Sequence, residues 1–276
     1  MNAREALERA RRELQAAGVE TPDVDAEWLV AHVLGVPRSS LRLGDRELDR
    51  GREARLAELV ARRRAREPLA YVLGEWGFRR LTLRTDARAL VPRPETEVVV
   101  DRCLALIAGL DAPRVLDVGT GSGAIALAIA DEHPGARVVA LDASADALAL
   151  ARENTQRAGL GDRVDLVRGD LAEPLPGGPY DLLVSNPPYV APEELDTLAP
   201  EVRDWEPRAA IVDTGQSELV ERAALDVLAP GGALVLETHR DGARQVAKRL
   251  RTLGYEAVTI SRDLAGEERV VEGRRP

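Results

Sequence analysis

The feature that most constrains the fold is the alternation of short apolar runs with helical patterns over residues 114–260. The apolar runs have the length of β-strands and occupy residues 114–118, 137–141, 164–167, 180–185 and 233–237. Apolar residues at helical spacing occupy residues 124–131, 145–158, 217–228 and 243–253. Strands that alternate with helices form a mostly parallel sheet with both faces covered. Two closing strands near residues 255–260 and 269–271, joined by a short connection, predict an antiparallel edge, so the fold class is α/β.

The segment before this alternation has a different pattern. Residues 2–72 carry apolar side chains at helical spacing with charged residues between them, which predicts a small all-helical domain. A chain of 276 residues is long enough for a small domain and a larger one. We therefore predict a helical N-terminal domain over residues 1–73, a hairpin linker over residues 74–90 and an α/β domain over residues 91–276. The arginine run at residues 62–64 is interpreted as a solvated helix face, with a contact to an RNA-bound partner as the alternative.

Composition and charge limit the classes of function. The net charge is -9, whereas a protein that holds a nucleic-acid backbone usually carries a basic face, so no direct nucleic-acid contact is expected. Cys103 is the only cysteine, which excludes an intrachain disulfide and a cysteine cluster for a metal, and we interpret it as a buried structural thiol. No metal is expected. The N-terminus lacks the apolar core of a signal peptide, and no apolar run approaches the length that spans a bilayer. We expect a cytoplasmic monomer with no membrane association.

A glycine-rich segment lies between the predicted strand at residues 114–118 and the helical pattern at residues 124–131. Glycines let the backbone turn tightly and approach a ligand closely, and the N-terminus of a helix is electropositive. The spacing is not that of a P-loop, because no Gly-Lys-Ser/Thr follows; it resembles a dinucleotide-binding turn. The segment predicts cofactor binding by Gly119, Thr120, Gly121, Ser122 and Gly123.

Two carboxylates follow the next two predicted strands. Asp142 ends the strand at residues 137–141, where a carboxylate can accept hydrogen bonds from two ribose hydroxyls. Capping of the helix that begins near residue 145 is the alternative role for this side chain. Asp170 ends the strand at residues 164–167, where an adenine amino group could be bound, and a polar loop residue is the alternative there.

The most informative stretch is Asn186-Pro187-Pro188-Tyr189, which follows the predicted strand at residues 180–185. Two consecutive prolines cannot continue a sheet ladder or enter a helix interior, so the backbone is stiff and irregular here. Open α/β sheets bind their ligands at this edge. The Asn186 side-chain oxygen and the Pro187 carbonyl can accept the two N–H bonds of a planar amino group, and the Tyr189 ring can stack on it. A dinucleotide oxidoreductase would explain the glycines but not this tetrapeptide.

With the glycine loop ahead of it, the tetrapeptide resembles the amino-methyltransferases that use S-adenosylmethionine. The wider pattern is similar to one family among them, the peptide chain release factor N5-glutamine methyltransferases, over nearly the whole chain and in the family's order. The segments that carry this resemblance are the helical N-terminal block, residues 68–74, Phe78, residues 90–97, 119–123 and 185–189, Glu201-Val202-Arg203, Glu206-Pro207, residues 262–266 and Arg269.

The resemblance implies a two-domain enzyme. Its larger domain would be a Rossmann-like class I methyltransferase sheet, and its small helical domain would help to recognise the protein substrate. The implied reaction transfers a methyl group from S-adenosylmethionine to the side-chain amide nitrogen, N5, of a glutamine, leaving S-adenosylhomocysteine. The implied substrate is the glutamine of the Gly-Gly-Gln motif in class 1 peptide chain release factors, whose methylation modulates translation termination.

The same resemblance implies roles for individual residues. The cofactor-binding residues would be Gly119, Thr120, Gly121, Ser122, Gly123, Asp142 on the ribose, Asp170 and Leu171 beside the adenine, and Asn186. The residues that bind and orient the glutamine would be Asn186, Pro187, Pro188 and Tyr189, with Asn186, Pro187 and Tyr189 in catalytic roles. The loop at residues 92–97 would lie near the cofactor. Two positions depart from the family pattern: Leu171, where an aromatic residue is common, and Thr238-His239, where a glycine-containing turn is common.

Two other functions fit part of this pattern. A nucleic-acid adenine N6-methyltransferase carries the same kind of tetrapeptide, but the acidic balance and the absence of a basic, aromatic-rich recognition domain count against it. A nonenzymatic cofactor-binding or assembly protein with a relict site would keep the glycine loop, but the intact residues 186–189 count against that function.

Overall fold

The computed structural model describes residues 1–41, 46–239 and 241–276. Its helices in chain order are α1 (Ala3–Ala16), α2 (Pro22–Leu34), α3 (Arg50–Arg64), α4 (Leu69–Leu73), α5 (Thr96–Ile107), α6 (Ala124–Glu132), α7 (Ala145–Ala158), α8 (Pro200–Arg203), α9 (Gln216–Val227) and α10 (Ala243–Thr252). Its strands are β1 (Glu75–Phe78), β2 (Leu81–Arg84), β3 (Arg114–Val118), β4 (Arg137–Asp142), β5 (Val164–Arg168), β6 (Tyr180–Ser185), β7 (Leu228–Glu237), β8 (Glu256–Arg262) and β9 (Glu268–Arg274).

The described chain divides into two compact units. The first unit comprises Met1–Glu75 together with Ala199–Trp205, and the second comprises Trp76–Leu198 together with Glu206–Pro276. The division predicted from the sequence had placed residues 199–205 in the larger domain. Helices α1 to α4 and α8 lie in the first unit, together with the first residue of β1 and an isolated β-bridge between Asn2 and Glu47. Among the described residues, no helix is both long enough and apolar enough to cross a membrane.

At the end of α3 in the first unit, the prediction of a solvated helix face was wrong for the central arginine. Arg63 is 5% exposed and is buried between two carboxylates. Its Nε donates to Oδ2 of Asp25 at 2.7 Å, and a terminal nitrogen donates to Oε1 of Glu201 at 2.7 Å. Arg62 is also engaged, because its Nε donates to Oε2 of Glu67 at 2.8 Å. A buried guanidinium needs such partners, since a charge removed from water without them is strongly unfavourable.

The second unit is built on a seven-stranded sheet with the strand order β5-β4-β3-β6-β7-β9-β8. Strands β5, β4, β3, β6 and β7 pair in parallel, and β9 pairs antiparallel with both β7 and β8. The predicted α/β class, with a mostly parallel sheet and an antiparallel edge, is therefore confirmed. From β3 the chain builds outward to β4 and β5, then returns to place β6 on the other side of β3. This reversal is the topological switch point at which such sheets bind ligands.

The two faces of the sheet pack into two separate cores, because successive side chains of a strand point to opposite faces. Val115 of β3 belongs to the core formed with α5 and α6, and the next residue, Leu116, belongs to the core formed with α9 and α10. Both residues are fully buried, as expected for a central parallel strand covered by helices on each side. Cys103 on α5 lies in the first core, where burial raises the pKa of its thiol well above the usual range. It is therefore a structural thiol, as the sequence predicts.

Candidate functional site

The carboxyl ends of the five parallel strands lie at one edge of the sheet. The ends of β3 and β6 are neighbours there, since Val118 pairs with Ser185. The Ser185 hydroxyl donates to the Val118 carbonyl at 2.7 Å and ties the two strand ends together. The glycine loop begins at the residue after Val118, and the tetrapeptide begins at the residue after Ser185. The topology therefore starts these two motifs side by side at the switch point.

The glycine loop adopts a conformation that few other residues could take. The φ angles of Gly119, Gly121 and Gly123 are +76°, +57° and +85°, in the left-handed region where a Cβ is strained. The N–H groups of Gly119 and Thr120 donate to the carbonyl of Leu141 at 2.8 and 3.0 Å, which anchors the loop to the end of β4. A Cβ built on Gly119 would meet no atom within 4 Å, so the space beside the loop is open. The loop leads directly into the electropositive N-terminus of α6.

Beneath the loop lies an aspartate that sequence reasoning missed. Asp117 of β3 is completely buried. Its Oδ2 accepts hydrogen bonds from the Thr120 hydroxyl at 2.7 Å and from the Ala126 N–H at 3.2 Å. Its Oδ1 is buried and has no hydrogen-bond partner among the described residues. Burial raises the pKa of Asp117 to about 7, against the effect of these two hydrogen bonds. The available signal was a carboxylate inside an otherwise apolar strand, directly before a glycine loop.

Asp142 at the end of β4 binds the glycine loop through one carboxylate oxygen and the turn before α7 through the other. Its Oδ2 accepts from the Gly121 N–H at 2.8 Å, and its Oδ1 accepts from the Ser144 N–H at 2.9 Å. Burial raises its pKa, and these two hydrogen bonds oppose the rise. Helix α7 is capped by Ser144, whose hydroxyl oxygen accepts from the Ala147 N–H at 3.2 Å. Asp142 is therefore not the N-cap, and its carboxylate, which the Ala143 N–H also contacts, keeps capacity to accept a further hydrogen bond.

The residues predicted to flank an adenine follow β5, next to the end of β4. The Gly169 N–H donates to the Asp142 carbonyl at 3.1 Å. Asp170 is exposed, and its Oδ1 accepts from the Ala172 N–H at 2.9 Å, so it both closes a turn and faces solvent. Leu171 is partly buried and packs against the core formed with α9 and α10. The side chain at this position is therefore aliphatic and is held by the core.

The tetrapeptide is connected to two buried side chains from distant parts of the chain. The Asn186 Nδ2 donates to the Thr96 hydroxyl oxygen at 3.4 Å, and the Thr96 hydroxyl donates to Oε2 of Glu237 at 2.7 Å. Thr96 and Glu237 are 4% and 1% exposed, whereas Asn186 is half-buried and retains access to solvent. Burial raises the pKa of Glu237 to about 7. Thr96 lay in the loop expected near the cofactor, but its contact with Asn186 and the part played by Glu237 were not predicted.

The other three residues of the tetrapeptide are partly or fully buried, and two of them contact Ser217 and His239. Pro187 is buried, while Pro188 and Tyr189 are half-buried. The Pro188 carbonyl accepts a long hydrogen bond from the Ser217 hydroxyl at 3.4 Å. Burial raises the pKa of Tyr189 to about 12, which keeps its phenol neutral near pH 7. The Tyr189 and His239 rings are tilted by 44° with centroids 6.2 Å apart, so His239 lies at this edge beside the tyrosine.

The loop at residues 92–97 is fixed by an ion pair. A terminal nitrogen of Arg93 lies 2.6 and 2.8 Å from the two oxygens of Glu206, whose side chain is buried. Glu206 also accepts from the Val91 N–H at 3.3 Å. Burial raises the pKa of Glu206, and the charge of Arg93 opposes that rise. The loop thereby gains a defined path into α5, where Thr96 is the first residue. Across the described residues, no group of three or more His, Cys, Asp or Glu could hold a metal ion.

The chain is similar to known proteins over nearly its whole length. A sequence model of the PrmC N-terminal domain matches residues 5–74, and one of the methyltransferase small domain matches residues 100–253. A release factor glutamine methyltransferase from Deinococcus radiodurans is 44% identical over 284 residues, which cover 100% of this chain and 99% of that protein. One from Geobacter sulfurreducens is 40% identical over 98% of this chain and 96% of its own length.

A solved methyltransferase from Pyrococcus furiosus is similar with a TM-score of 0.52 at 19% identity, over 82% of this chain and 98% of that one. This likeness supports the fold alone. The two sequence relatives show the family as well as the fold, because their identity extends over both the helical block and the sheet. The chain belongs to the release factor glutamine methyltransferase family.

Proposed function

We propose that this protein transfers the methyl group of S-adenosylmethionine to the side-chain amide nitrogen of the glutamine in the Gly-Gly-Gln motif of class 1 peptide chain release factors. The product cofactor is S-adenosylhomocysteine, and the modification modulates translation termination. The observation that carries the proposal is the placement of Asn186 beside the glycine loop at the switch point of the sheet. The names of the full-length relatives support the choice of acceptor.

The residues present fit the cofactor. Open space beside Gly119, the N–H groups at the start of α6 and the spare acceptor capacity of Asp142 suit a ligand with a charged end and a ribose. When bound, S-adenosylmethionine supplies a methyl group on an electrophilic sulfonium. In this assignment residues 119–123 hold the cofactor, Asp142 binds its ribose hydroxyls, and Asp170 with Leu171 flanks the adenine. The orphaned Oδ1 of Asp117 provides a further buried acceptor under the loop.

The acceptor side of the site has to hold a weak nucleophile. The nitrogen lone pair of an amide is delocalised into its carbonyl, so the nitrogen attacks only when it is aligned and partly pyramidal. The Asn186 Oδ1 and the Pro187 carbonyl accept its two N–H bonds and fix it in one orientation, while Pro188 stiffens the backbone and Tyr189 packs on the amide plane. Because these acceptors are already in place, they act through positioning and preorganised dipoles rather than through a strong base.

The protein partner is the release factor, and we assign its recognition to the helical N-terminal domain over residues 1–73. We further propose that the protein acts as a monomer in the cytoplasm and makes no direct contact with nucleic acid. Its net charge of -9 supports the last point, because a nucleic-acid backbone repels an acidic surface. Light scattering of the purified protein at working concentration gives its mass in solution and tests whether it is a monomer.

The proposal is tested with labelled S-adenosylmethionine and purified class 1 release factors. We expect label on the intact release factor and none on a release factor whose Gly-Gly-Gln glutamine is replaced by alanine. Duplex DNA and total RNA, incubated in parallel, serve as acceptors for the other reaction class and should stay unlabelled. Label that persists on the glutamine variant, or that appears on nucleic acid alone, would contradict the proposal.

A further inference from the structure

The contact from Glu237 through Thr96 to Asn186 joins three elements at the site. Thr96 is the first residue of α5, Glu237 is the last residue of β7, and Asn186 directly follows β6. The Thr96 N–H already donates to the Arg93 carbonyl at 3.1 Å, so the residue is anchored by its backbone while its hydroxyl serves the other two side chains. A relay built on the ends of packed elements holds its geometry better than one built on a free loop.

We propose that Thr96 and Glu237 are positioning residues that set the orientation of the Asn186 side-chain amide and thereby decide which of its ends faces the acceptor glutamine. This inference rests on the proposed function and adds two residues to it. Neither residue has a place in the roles that the tetrapeptide motif itself implies.

The donors and acceptors of the three side chains fix the direction of each hydrogen bond. An ionised Glu237 can only accept, so the single proton of the Thr96 hydroxyl is directed to it across 2.7 Å. The Thr96 oxygen then has only lone pairs to offer, and it accepts from the Nδ2 end of Asn186 at 3.4 Å. The oxygen and the nitrogen of an amide point in different directions from the same carbon, so this contact turns Oδ1 away from Thr96. That oxygen is the acceptor that the incoming amide N–H requires.

The reversed amide would be unproductive. If Asn186 turned its NH₂ group toward the substrate, two donors would face each other and one N–H of the glutamine would lose its acceptor. The ionisation of Glu237 is what excludes this state. A protonated Glu237 could donate to the Thr96 oxygen, which would free the Thr96 proton to point at Oδ1 of Asn186.

This device is sensitive to pH because of the groups around Glu237. Burial raises its pKa to about 7, with Glu95 adding to the rise, while the Thr96 hydrogen bond and the charges of Arg269 and Arg93 oppose it. Above this pKa the relay is in its productive state, and below it the orientation of Asn186 is no longer specified. We therefore expect the methyl-transfer rate to fall as the pH is lowered from about 8 to about 6, with no matching change in cofactor affinity.

The kinetic test uses single-turnover methylation of a release factor by matched variants. Thr96→Val should reduce the transfer rate on the order of 10-fold to 100-fold by misaligning the acceptor, with little change in the KM for either substrate. Thr96→Ser, which keeps the hydroxyl, should restore most of that rate. Thr155→Val is the control, because Thr155 is equally buried but its hydroxyl donates only to the Ala151 carbonyl of its own helix, at 2.8 Å.

A double-mutant cycle separates a relay from two independent effects. Glu237→Gln should lower the transfer rate and remove its pH dependence near pH 7. In the Thr96→Val background, Glu237→Gln should reduce the transfer rate by a further factor of less than about three. Its effect passes through a hydroxyl that is already absent in that background. Additive losses, or a pH dependence that survives in Glu237→Gln, would overturn the relay, since another group such as Asp117 would then be responsible.

A spectroscopic arm needs no acceptor, so it can fail or succeed independently of the proposed function. The sequence has three asparagines, Asn2, Asn154 and Asn186, so selective ¹⁵N-asparagine labelling yields three side-chain amide signals. The signal lost in Asn186→Ala should titrate near pH 7 in the wild type with S-adenosylhomocysteine added, and should stay constant in Thr96→Val. An Asn186 signal that is constant in the wild type would overturn the relay, even if the wild type methylates release factors.

Discussion

At the scale of single residues, the site is distinguished by two buried carboxyl groups whose pKa values are raised. Asp117 and Glu237 stand near the carboxyl ends of β3 and β7, and burial raises the pKa of each to about 7. Buried acids whose pKa is shifted this far are concentrated at functional sites. They differ in their partners, because Glu237 is joined to Asn186 through Thr96, whereas one oxygen of Asp117 has no partner among the described residues.

Asp117 gives a prediction about stability against pH. A carboxyl group with a raised folded-state pKa favours folding while it is protonated, and this contribution is lost as the pH rises from its ordinary value of 3.8 through about 7. Asp117→Asn cannot ionise, so the free energy of unfolding of the wild type relative to this variant should fall by roughly 2 kcal/mol between about pH 5 and about pH 8. Urea denaturation at both pH values measures it, and a constant difference would show that Asp117 does not titrate on unfolding.

The site residues that the sequence could indicate are those that form contiguous motifs. The glycine loop and residues 186–189 are each a continuous run whose backbone chemistry is visible in the letters alone. Thr96 and Glu237 are 141 positions apart in the chain, and their contact exists only because α5 and β7 come together in the folded sheet. No local pattern distinguishes such a pair from a helix-starting threonine and a strand-ending glutamate.

At the scale of elements, hydrophobic periodicity was sufficient for the parallel strands and the antiparallel edge, except that β7 begins at Leu228 and not at the predicted residue 233. Residues 180–185 were predicted as a strand and form β6, while the antiparallel edge extends to Glu256–Arg262 and Glu268–Arg274. The position of β9 between β7 and β8 was not predictable, because local periodicity carries no information about strand order. The end of α3 shows the same limit, since the carboxylates that bury Arg63 come from α2 and from α8.

Two adjacent arginines of α3 test that interpretation. Arg63→Met leaves the buried carboxylate of Asp25 without its counter-charge and should destabilise the helical unit by about 3 kcal/mol. Arg64→Met is the matched control: Arg64 is half-exposed and pairs with Glu13 at 3.2 Å, so its loss should change stability by less than about 0.5 kcal/mol. Native-state hydrogen exchange of α2 and α3 amides measures both. Equal effects of the two substitutions would indicate that Arg63 lies on a solvated helix face, as the sequence predicts.

At the scale of the whole molecule, the described chain passes between its two units at residues 75/76, 198/199 and 205/206. The sequence predicts a helical domain that ends at residue 73 and a hairpin linker over residues 74–90, because the periodicity changes there from helical to strand-like. Residues 199–205 contain only the short helix Pro200–Arg203, and the composition does not change around them. The partners of two glutamates near the last passage are not evident from the sequence. Glu201 binds Arg63 within the first unit, and Glu206 binds Arg93 within the second.

The central claim concerns the whole enzyme: Asn186 holds a glutamine amide of a release factor in line for methylation. The most direct measurement is mass spectrometry of the Gly-Gly-Gln peptide after reaction with wild-type protein and with Asn186→Ala, alongside calorimetric binding of S-adenosylhomocysteine to both. We predict one methyl group on the glutamine side chain with the wild type, none with Asn186→Ala, and detectable cofactor binding by both proteins. Near-normal methylation of that glutamine by Asn186→Ala would contradict the account.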